Sequence, residues 1–285
     1  FTADRLTAEG GGPCSSVGPS GAMLYDAPPV DHRMLRLRTL AEIFRKAGGG
    51  PPRLLVHDDD HGAQMVALSA RYGRGLPVDV IPLAVPALNG FGHAEILAAL
   101  ALGFTSVTIL PSPRTERDPI LAEIALADAM ADAGARIALF DGADPEAMSD
   151  ALYDADPPAL AVAPILPLGG RRQIARLAAK ALVPDRTGPI ALPAGAPYGA
   201  VLVNSDACTL CLSCVSLCPS GALLDNPDKP QLRCQEDACL QCGICASACP
   251  EDAIALVPRF DPTDAALDQK VMKEEEPFCC IGCGK

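Results

Sequence analysis

Two copies of one cysteine spacing constrain this chain more than any other feature. Residues 208–219 read CTLCLSCVSLCP and residues 239–250 read CLQCGICASACP, each a C-x2-C-x2-C-x3-C-P run. Eight of the thirteen cysteines fall in these runs. A C-x2-C-x2-C loop wraps three thiolates around an inorganic core, and the fourth thiolate of a 4Fe-4S cube has to come from elsewhere in the chain. In paired runs of this spacing the fourth cysteine of each serves the other cluster. The expected ligand sets are therefore Cys208, Cys211, Cys214 and Cys249 for one cluster, and Cys239, Cys242, Cys245 and Cys218 for the other. Pro219 and Pro250 turn the chain after the fourth cysteine, and Gly243 lets backbone approach the inorganic core. Two zinc sites or a set of disulfides are the competing readings, and two complete copies with both prolines weigh against them.

Thiolate ligation needs a reducing compartment during assembly, which places the chain in the cytoplasm. A net charge of −12 excludes nucleic acid as a partner held by a basic footprint. An acidic surface is ordinary for a small electron carrier. No apolar run reaches the roughly 18 residues of a membrane span, and no charged-then-apolar signal sequence opens the chain. The chain starts at Phe1 rather than Met and stops inside a cysteine motif, so both ends are expected to continue in a longer protein. Tryptophan is absent and Ala, Leu, Gly and Pro dominate, a composition that suits α/β packing better than an all-β sandwich.

Between Pro29 and Ala47, Met34, Leu35, Leu37, Leu40, Ile43 and Phe44 recur at helical spacing among Arg and Lys, which predicts an amphipathic helix ending at Gly48. Its basic face is either solvated or meets an acidic partner. Five apolar runs then alternate with helical patterns: 53–57, 78–85, 106–110, 136–140 and 159–165 as strands, with helices over 62–72, 93–102, 119–133, 145–153 and 171–182. That alternation predicts βαβ units and a parallel sheet covered on both faces. Pro184 to Gly199 reads as a linker. Asp264 to Glu276 reads as a short helix or a connector.

Several smaller features invite chemistry. His57-Asp58-Asp59-Asp60-His61 sits where the first strand ends and has the donors for a divalent ion, but Asp59 or Asp60 capping the next helix is the better reading. Asn89-Gly90-Phe91-Gly92-His93 and Gly169-Gly170-Arg171-Arg172 each precede a helix and offer backbone N–H groups to an anion, without matching a nucleotide-binding pattern. Cys234 stands five residues before the second run, as a spare ligand or, more ordinarily, a small buried apolar side chain. Cys280-x2-Cys283-Gly284 has the form of half a zinc ribbon or rubredoxin-like knuckle, able to hold zinc or iron only in a longer chain. No serine–histidine–acid set or paired-carboxylate motif stands out, so no catalytic residue is assigned.

Residues 208–257 resemble the eight-iron bacterial ferredoxin domain, with an apolar strand following each run (Ala222-Leu223-Leu224 and Ala253 to Val257). The order GAPYGAVLVNSDACTLC, CPSGALLDNPDKPQL, CPEDAIALVPRF resembles larger bacterial 4Fe-4S binding proteins. That resemblance implies a partial ferredoxin-like segment plus helix (1–50), an α/β domain, flavodoxin-like or hydrogenase-delta-like (51–184), an α+β ferredoxin domain with two 4Fe-4S clusters (185–262), and an acidic connector with an incomplete CxxCG knuckle (263–285). In the first segment, Cys14-Ser-Ser-Val-Gly18-Pro19 lines up with Cys214 to Pro219, with Gly18 in place of the fourth cysteine. The stretch VIPLAVPALNGFGHAEILAALALGFTSVTIL is similar to the delta subunit of methyl-viologen-reducing hydrogenase. That family carries cysteines for a 2Fe-2S cluster here, whereas this chain has none between Cys14 and Cys208, which makes the domain a docking scaffold.

The expected function is electron transfer through two 4Fe-4S clusters, as a subunit or partner of a cytoplasmic redox enzyme complex of hydrogenase or formate dehydrogenase type. The alternatives are an oxidoreductase with flavin or nucleotide in the α/β domain, and an iron-sulfur redox sensor or assembly protein.

Overall fold

The computed structural model describes residues 2–3, 24–25, 29–133, 136–158, 160–163, 165–276 and 282. They divide into two compact units, Phe1–Asp185 and Arg186–Lys285.

In the first unit β1 (Thr2–Ala3) pairs in parallel with β2 (Leu24–Tyr25). Helix α1 (Val30–Lys46) buries Met34, Leu37 and Ala41. Strand and helix then alternate: β3 (Arg53–Asp58), α2 (His61–Tyr72), β4 (Val80–Val85), α3 (His93–Ala101), β5 (Val107–Leu110), α4 (Arg117–Ala131), β6 (Ile137–Leu139), α5 (Pro145–Asp154) and α6 (Arg171–Leu182). The four strands from β3 to β6 make one parallel sheet in the order β4-β3-β5-β6. Strand β3 lies inside it, with Leu54 opposite Ile81 on one side and Val107 on the other. Arg53 to His57 are all buried, because an interior parallel strand is covered on both faces and so reads as a continuous apolar run. Arg53 is tolerated there since its guanidinium binds both Asp79 carboxylate oxygens and the carbonyls of Leu152 and Ala155.

All nine residues of α3 are buried, and its alanines let α1, α4 and α6 pack closely around it. Its one acidic residue, Glu95, is fully buried. The carboxylate accepts from Arg33 Nη1 at 3.0 Å, from Arg171 Nη2 and Nε at 2.6 and 2.9 Å, and from the Gly92 backbone N–H at 3.1 Å. Both arginines also donate to the Gly90 carbonyl. One buried charge thus joins α1, α3 and α6. The basic residues of α1 are largely engaged within the unit: Arg36 reaches the Ala84 carbonyl, Arg45 that of Leu102, and Arg38 pairs with Glu42.

The fifth strand expected over 159–165 does not form among the described residues. Residues 160–163 and 165–168 are irregular, and prolines at 157, 158, 164 and 167 strip the stretch of the N–H donors a ladder needs.

The second unit is built from short antiparallel strands. Sheet β7-β11-β8 joins β7 (Ile190–Ala191), β11 (Ile254–Phe260) and β8 (Gly199–Val203); sheet β12-β10-β9 joins β12 (Gln269–Glu274), β10 (Gln231–Gln235) and β9 (Leu223–Asp225). Between strands lie two single-turn helices, α7 (Ser213–Ser216) and α8 (Ile244–Ser247). Two expectations change here. The linker contributes β7, paired with β11 at Phe260 and Arg259. The stretch expected as a helix or connector opens with a single short helical turn, Asp264–Ala266, and then supplies β12, which bonds to β10 from Gln231 to Gln235.

Removing the carboxylate that joins α1, α3 and α6 leaves two largely buried guanidinium groups, each 12% exposed, without their shared counter-charge. Glu95→Ala is expected to destabilise the protein by about 3–5 kcal/mol. Denaturant unfolding followed by far-UV circular dichroism measures this, and a loss below about 1 kcal/mol would contradict the network's role.

Candidate metal centre

The two cysteine runs are related by a constant shift: Cys239, Cys242, Cys245 and Cys249 each follow Cys208, Cys211, Cys214 and Cys218 by 31 residues. Strands follow the same shift, so the chain runs β8–loop–α7–β9 and then β10–loop–α8–β11. Pairing, however, crosses the copies. Strand β8 pairs with β11, from Val203↔Ile254 to Gly199↔Pro258, and β9 pairs with β10, from Leu223↔Cys234 to Asp225↔Leu232. Cys249 stands just ahead of β11 and is carried to β8, which leads into the loop of Cys208, Cys211 and Cys214. Cys218 stands just ahead of β9 and is carried to β10, which leads into Cys239, Cys242 and Cys245.

Two cavities result. The first is lined by Cys208, Cys211, Cys214 and Cys249 and has about 360 Å³ of unfilled space, part of it open to solvent. The second is lined by Cys218, Cys239, Cys242 and Cys245, with about 320 Å³. The other walls are mainly apolar, with Leu232 and Ile254 in the first and Val201, Leu223 and Leu256 in the second. Four cysteines lining one space, three from one loop and the fourth from the other copy, have the soft donor chemistry that an iron-sulfur cube takes.

Backbone conformation repeats with the cysteines. Leu210 and Gln241 are left-handed (φ 54° and 56°), as are Leu212 and Gly243 (57° and 80°) and Gly221 and Asp252 (67° and 48°). A Cβ at Gly243 would meet nothing within 4 Å, so this glycine answers a conformational demand that Leu212 meets with strain. After each fourth cysteine the Cys-Pro turn closes, the N–H of Gly221 donating to the Cys218 carbonyl and that of Asp252 to the Cys249 carbonyl, both at 3.3 Å.

The middle cysteines, Cys211 and Cys242, are exposed, whereas Cys214, Cys239 and Cys245 are buried. Before metal binds, burial raises the Cys214 thiol and pushes Cys245 up to about 11. Hydrogen bonding from Ser213 lowers Cys211. At Cys218 burial acts upward, but bonds from Leu223, Ser220 and Ala222 outweigh it and the thiol is lowered. The Ala253 backbone N–H donates to Cys249 Sγ at 3.3 Å, and the Gln241 amide to Cys239 Sγ at 3.4 Å.

Cys234 lies on β10 between Leu223 of β9 and Lys270 of β12, 4% exposed, in an apolar cluster with Leu232, Leu223 and Val201. Burial, reinforced by Cys239 and Glu236, pushes its thiol up to about 12. It behaves as a small apolar side chain.

The remaining candidates are engaged otherwise. Buried His57 bonds through Nδ1 to the Asp58 carbonyl at 2.8 Å. Asp60 takes the N-cap position of α2, as expected, but without a side-chain cap bond; the carboxylate of Asp58 meets the helix start instead, its Oδ1 accepting from the N–H groups of Gly62 and Asp60 at 2.8 and 3.1 Å. The start of α3, expected to offer N–H groups to an anion, is met by the chain's own carboxylates. Glu123 Oε2 accepts from the His93 N–H and lies 2.6 Å from His93 Nδ1, while Glu95 takes the Gly92 N–H. Burial pushes the Glu123 carboxyl upward, but His93 and Arg171 outweigh it and hold it below the usual range. At the start of α6, Gln173 Oε1 accepts the Gly170 N–H at 2.9 Å and Arg171 turns inward to Glu95. Cys14, Cys280 and Cys283 lie outside the described residues. Ser220 and Glu251 at the cavities and Gln241 beside Cys239 are not marked by the cysteine spacing; aligning the two runs residue by residue is the signal that marks where the copies differ.

Residues 207–254 match the family model of the 4Fe-4S dicluster domain. No curated protein matches the chain. The chain therefore carries a 4Fe-4S-binding domain across the two cysteine runs, and a domain of this type supports a role in electron transfer. Among the described residues no helix is long and apolar enough to cross a membrane.

Cys234→Ala is expected to keep the full iron and sulfide content, and in the folded holoprotein Cys234 is expected to resist iodoacetamide at pH 8. Because its pKa is raised above the ordinary 9.0, the neutral thiol stabilises the fold below about pH 9, and that contribution is lost as pH climbs toward 12. Peptide mapping after alkylation checks this; labelling at the rate of an exposed thiol, or loss of iron in the variant, would contradict it.

Proposed function

We propose that this chain is an electron-transfer protein holding two 4Fe-4S clusters, one on Cys208, Cys211, Cys214 and Cys249 and the other on Cys239, Cys242, Cys245 and Cys218. The observation that carries the reading is the composition of the two cavities: each gathers three cysteines of one run and the fourth of the other. When bound, each cube takes up and gives up one electron. The chain's part is to hold the cysteines in place, to limit water with Leu, Ile and Val walls, and to direct N–H groups at the sulfurs. The exposed Cys211 and Cys242 bring each site to the surface, where a partner protein meets it.

The resemblance of the α/β stretch to a hydrogenase delta subunit favours a cytoplasmic redox complex, of hydrogenase or formate dehydrogenase type, as the partner. The α/β unit then serves in docking. A flavin or nucleotide in that unit finds less support, since the starts of α3 and α6 are taken by Glu95, Glu123 and Gln173.

Anaerobic reconstitution is expected to give about eight irons and eight sulfides per chain, with two interacting paramagnets by EPR after reduction. Cys218→Ala is expected to damage the site of Cys239, Cys242 and Cys245 while sparing that of Cys208, Cys211 and Cys214. Four irons per chain in the unaltered protein, or damage confined to the Cys208 side in the variant, would overturn the assignment.

A further inference from the structure

The two copies differ where side chains meet sulfur. Leu210 and Gln241 occupy equivalent left-handed positions, one before the middle cysteine of each run. Leu210 packs its side chain into the apolar cluster. Gln241 instead directs Nε2 to two acceptors, the Ala200 carbonyl at 3.2 Å and Cys239 Sγ at 3.4 Å. A carbonyl oxygen only accepts, so the amide end turned this way is the NH2, whose two hydrogens serve the two acceptors.

The chain also keeps space for that amide. A Cβ at Gly199 would stand 2.5 Å from Gln241 Cδ, 2.7 Å from its Nε2 and 2.3 Å from the Val257 carbonyl oxygen. Any residue but glycine at the start of β8 would displace either the β11 backbone or the amide.

A second difference follows each fourth cysteine. Ser220 Oγ lies 3.7 Å from Cys218 Sγ, whereas its counterpart at the edge of the first cavity is the exposed, acidic Glu251. One contact works the other way: Ser213 Oγ is 3.5 Å from Cys211 Sγ, and its counterpart is Ile244. Backbone N–H groups reach the fourth cysteine in both copies, that of Ala253 at Cys249 and those of Leu223, Ser220 and Ala222 at Cys218.

Reduction adds negative charge that spreads onto the ligating sulfurs. An N–H aimed at such a sulfur therefore favours the reduced form, and a nearby carboxylate disfavours it. We infer that Gln241, seated on Gly199 and Ala200, sets the cluster of Cys239, Cys242, Cys245 and Cys218 at the higher reduction potential, so that the one electron of a half-reduced chain rests there. This rests on the two-cluster reading proposed above. Gln241 acts through Cys239 and is a positioning residue for the sulfur's hydrogen bond.

The test is an anaerobic redox titration of the full-length holoprotein with dithionite, monitored by EPR after iron and sulfide have been measured. Gln241→Leu gives the second copy the residue of the first. The higher couple is expected to fall while the lower stays in place. The ratio between the two one-electron forms is expected to shift about tenfold, which is about 59 mV for a one-electron couple. Gln241→Glu keeps the shape of the side chain, removes the donor and is expected to move the same couple in the same direction, which keeps the test decisive should the leucine variant load poorly. Eight irons with the higher couple unmoved in both variants would overturn this inference alone. Four irons in the unaltered protein would overturn the two-cluster reading and this inference with it.

Discussion

The crossed strand pairing is the constraint on which the iron-sulfur unit depends. Had each copy closed on itself, every run would keep its own fourth cysteine. Pairing β8 with β11 and β9 with β10 instead sends each Cys-Pro turn to the loop of the other copy. The loops supply local shape through left-handed residues, and the ladders decide which sulfurs share a cavity. Cys214, Cys239 and Cys245 then belong to the same apolar cluster as Leu223 and Leu232. Core and site are built from the same atoms, as expected of a unit too small to afford a separate core.

The α/β unit rests on a different principle. Its centre is a helix with no solvent face, and the charges that come with the sequence are consumed internally: Glu95 by two arginines, the start of α3 by Glu123, Arg53 by Asp79 and two carbonyls. A buried pair adds little net stability over an apolar replacement, but it is demanding in geometry. Such a network fits a rigid scaffold better than a pocket awaiting a polar ligand.

What was legible beforehand follows from how each signal arises. The cysteine spacing is discrete and has few alternatives, so the two runs could be read at once. Strands β3 and β5 were readable because interior parallel strands are apolar throughout, and β4, at the sheet edge, because its run is apolar as well. Strand β12 was not: Gln269 to Glu274 is polar and charged, and an edge strand needs only a ladder to β10, not an apolar face. The run over 159–165 misled for the opposite reason, being apolar in composition while Pro164 within it and Pro157, Pro158 and Pro167 beside it work against a ladder. At α2 the cap position, Asp60, was readable, but not that Asp58 would supply the carboxylate, because three consecutive aspartates look alike until the backbone direction is known. Gln241 could not be told from any polar loop residue until Ala200, Gly199 and Cys239 were seen around it.

The ladders are also nested along the chain: β9 and β10 lie inside the interval closed by β8 and β11. The inner ribbon forms between near neighbours, while the outer one must bring together the ends of a much longer loop, which costs more chain entropy. During synthesis β8 emerges well before its partner β11. Both cavities draw on both ladders, since Val201 of β8 and Leu256 of β11 wall the one of Cys239 and Leu232 of β10 walls the one of Cys208, so neither half of the unit is complete until the outer ladder closes.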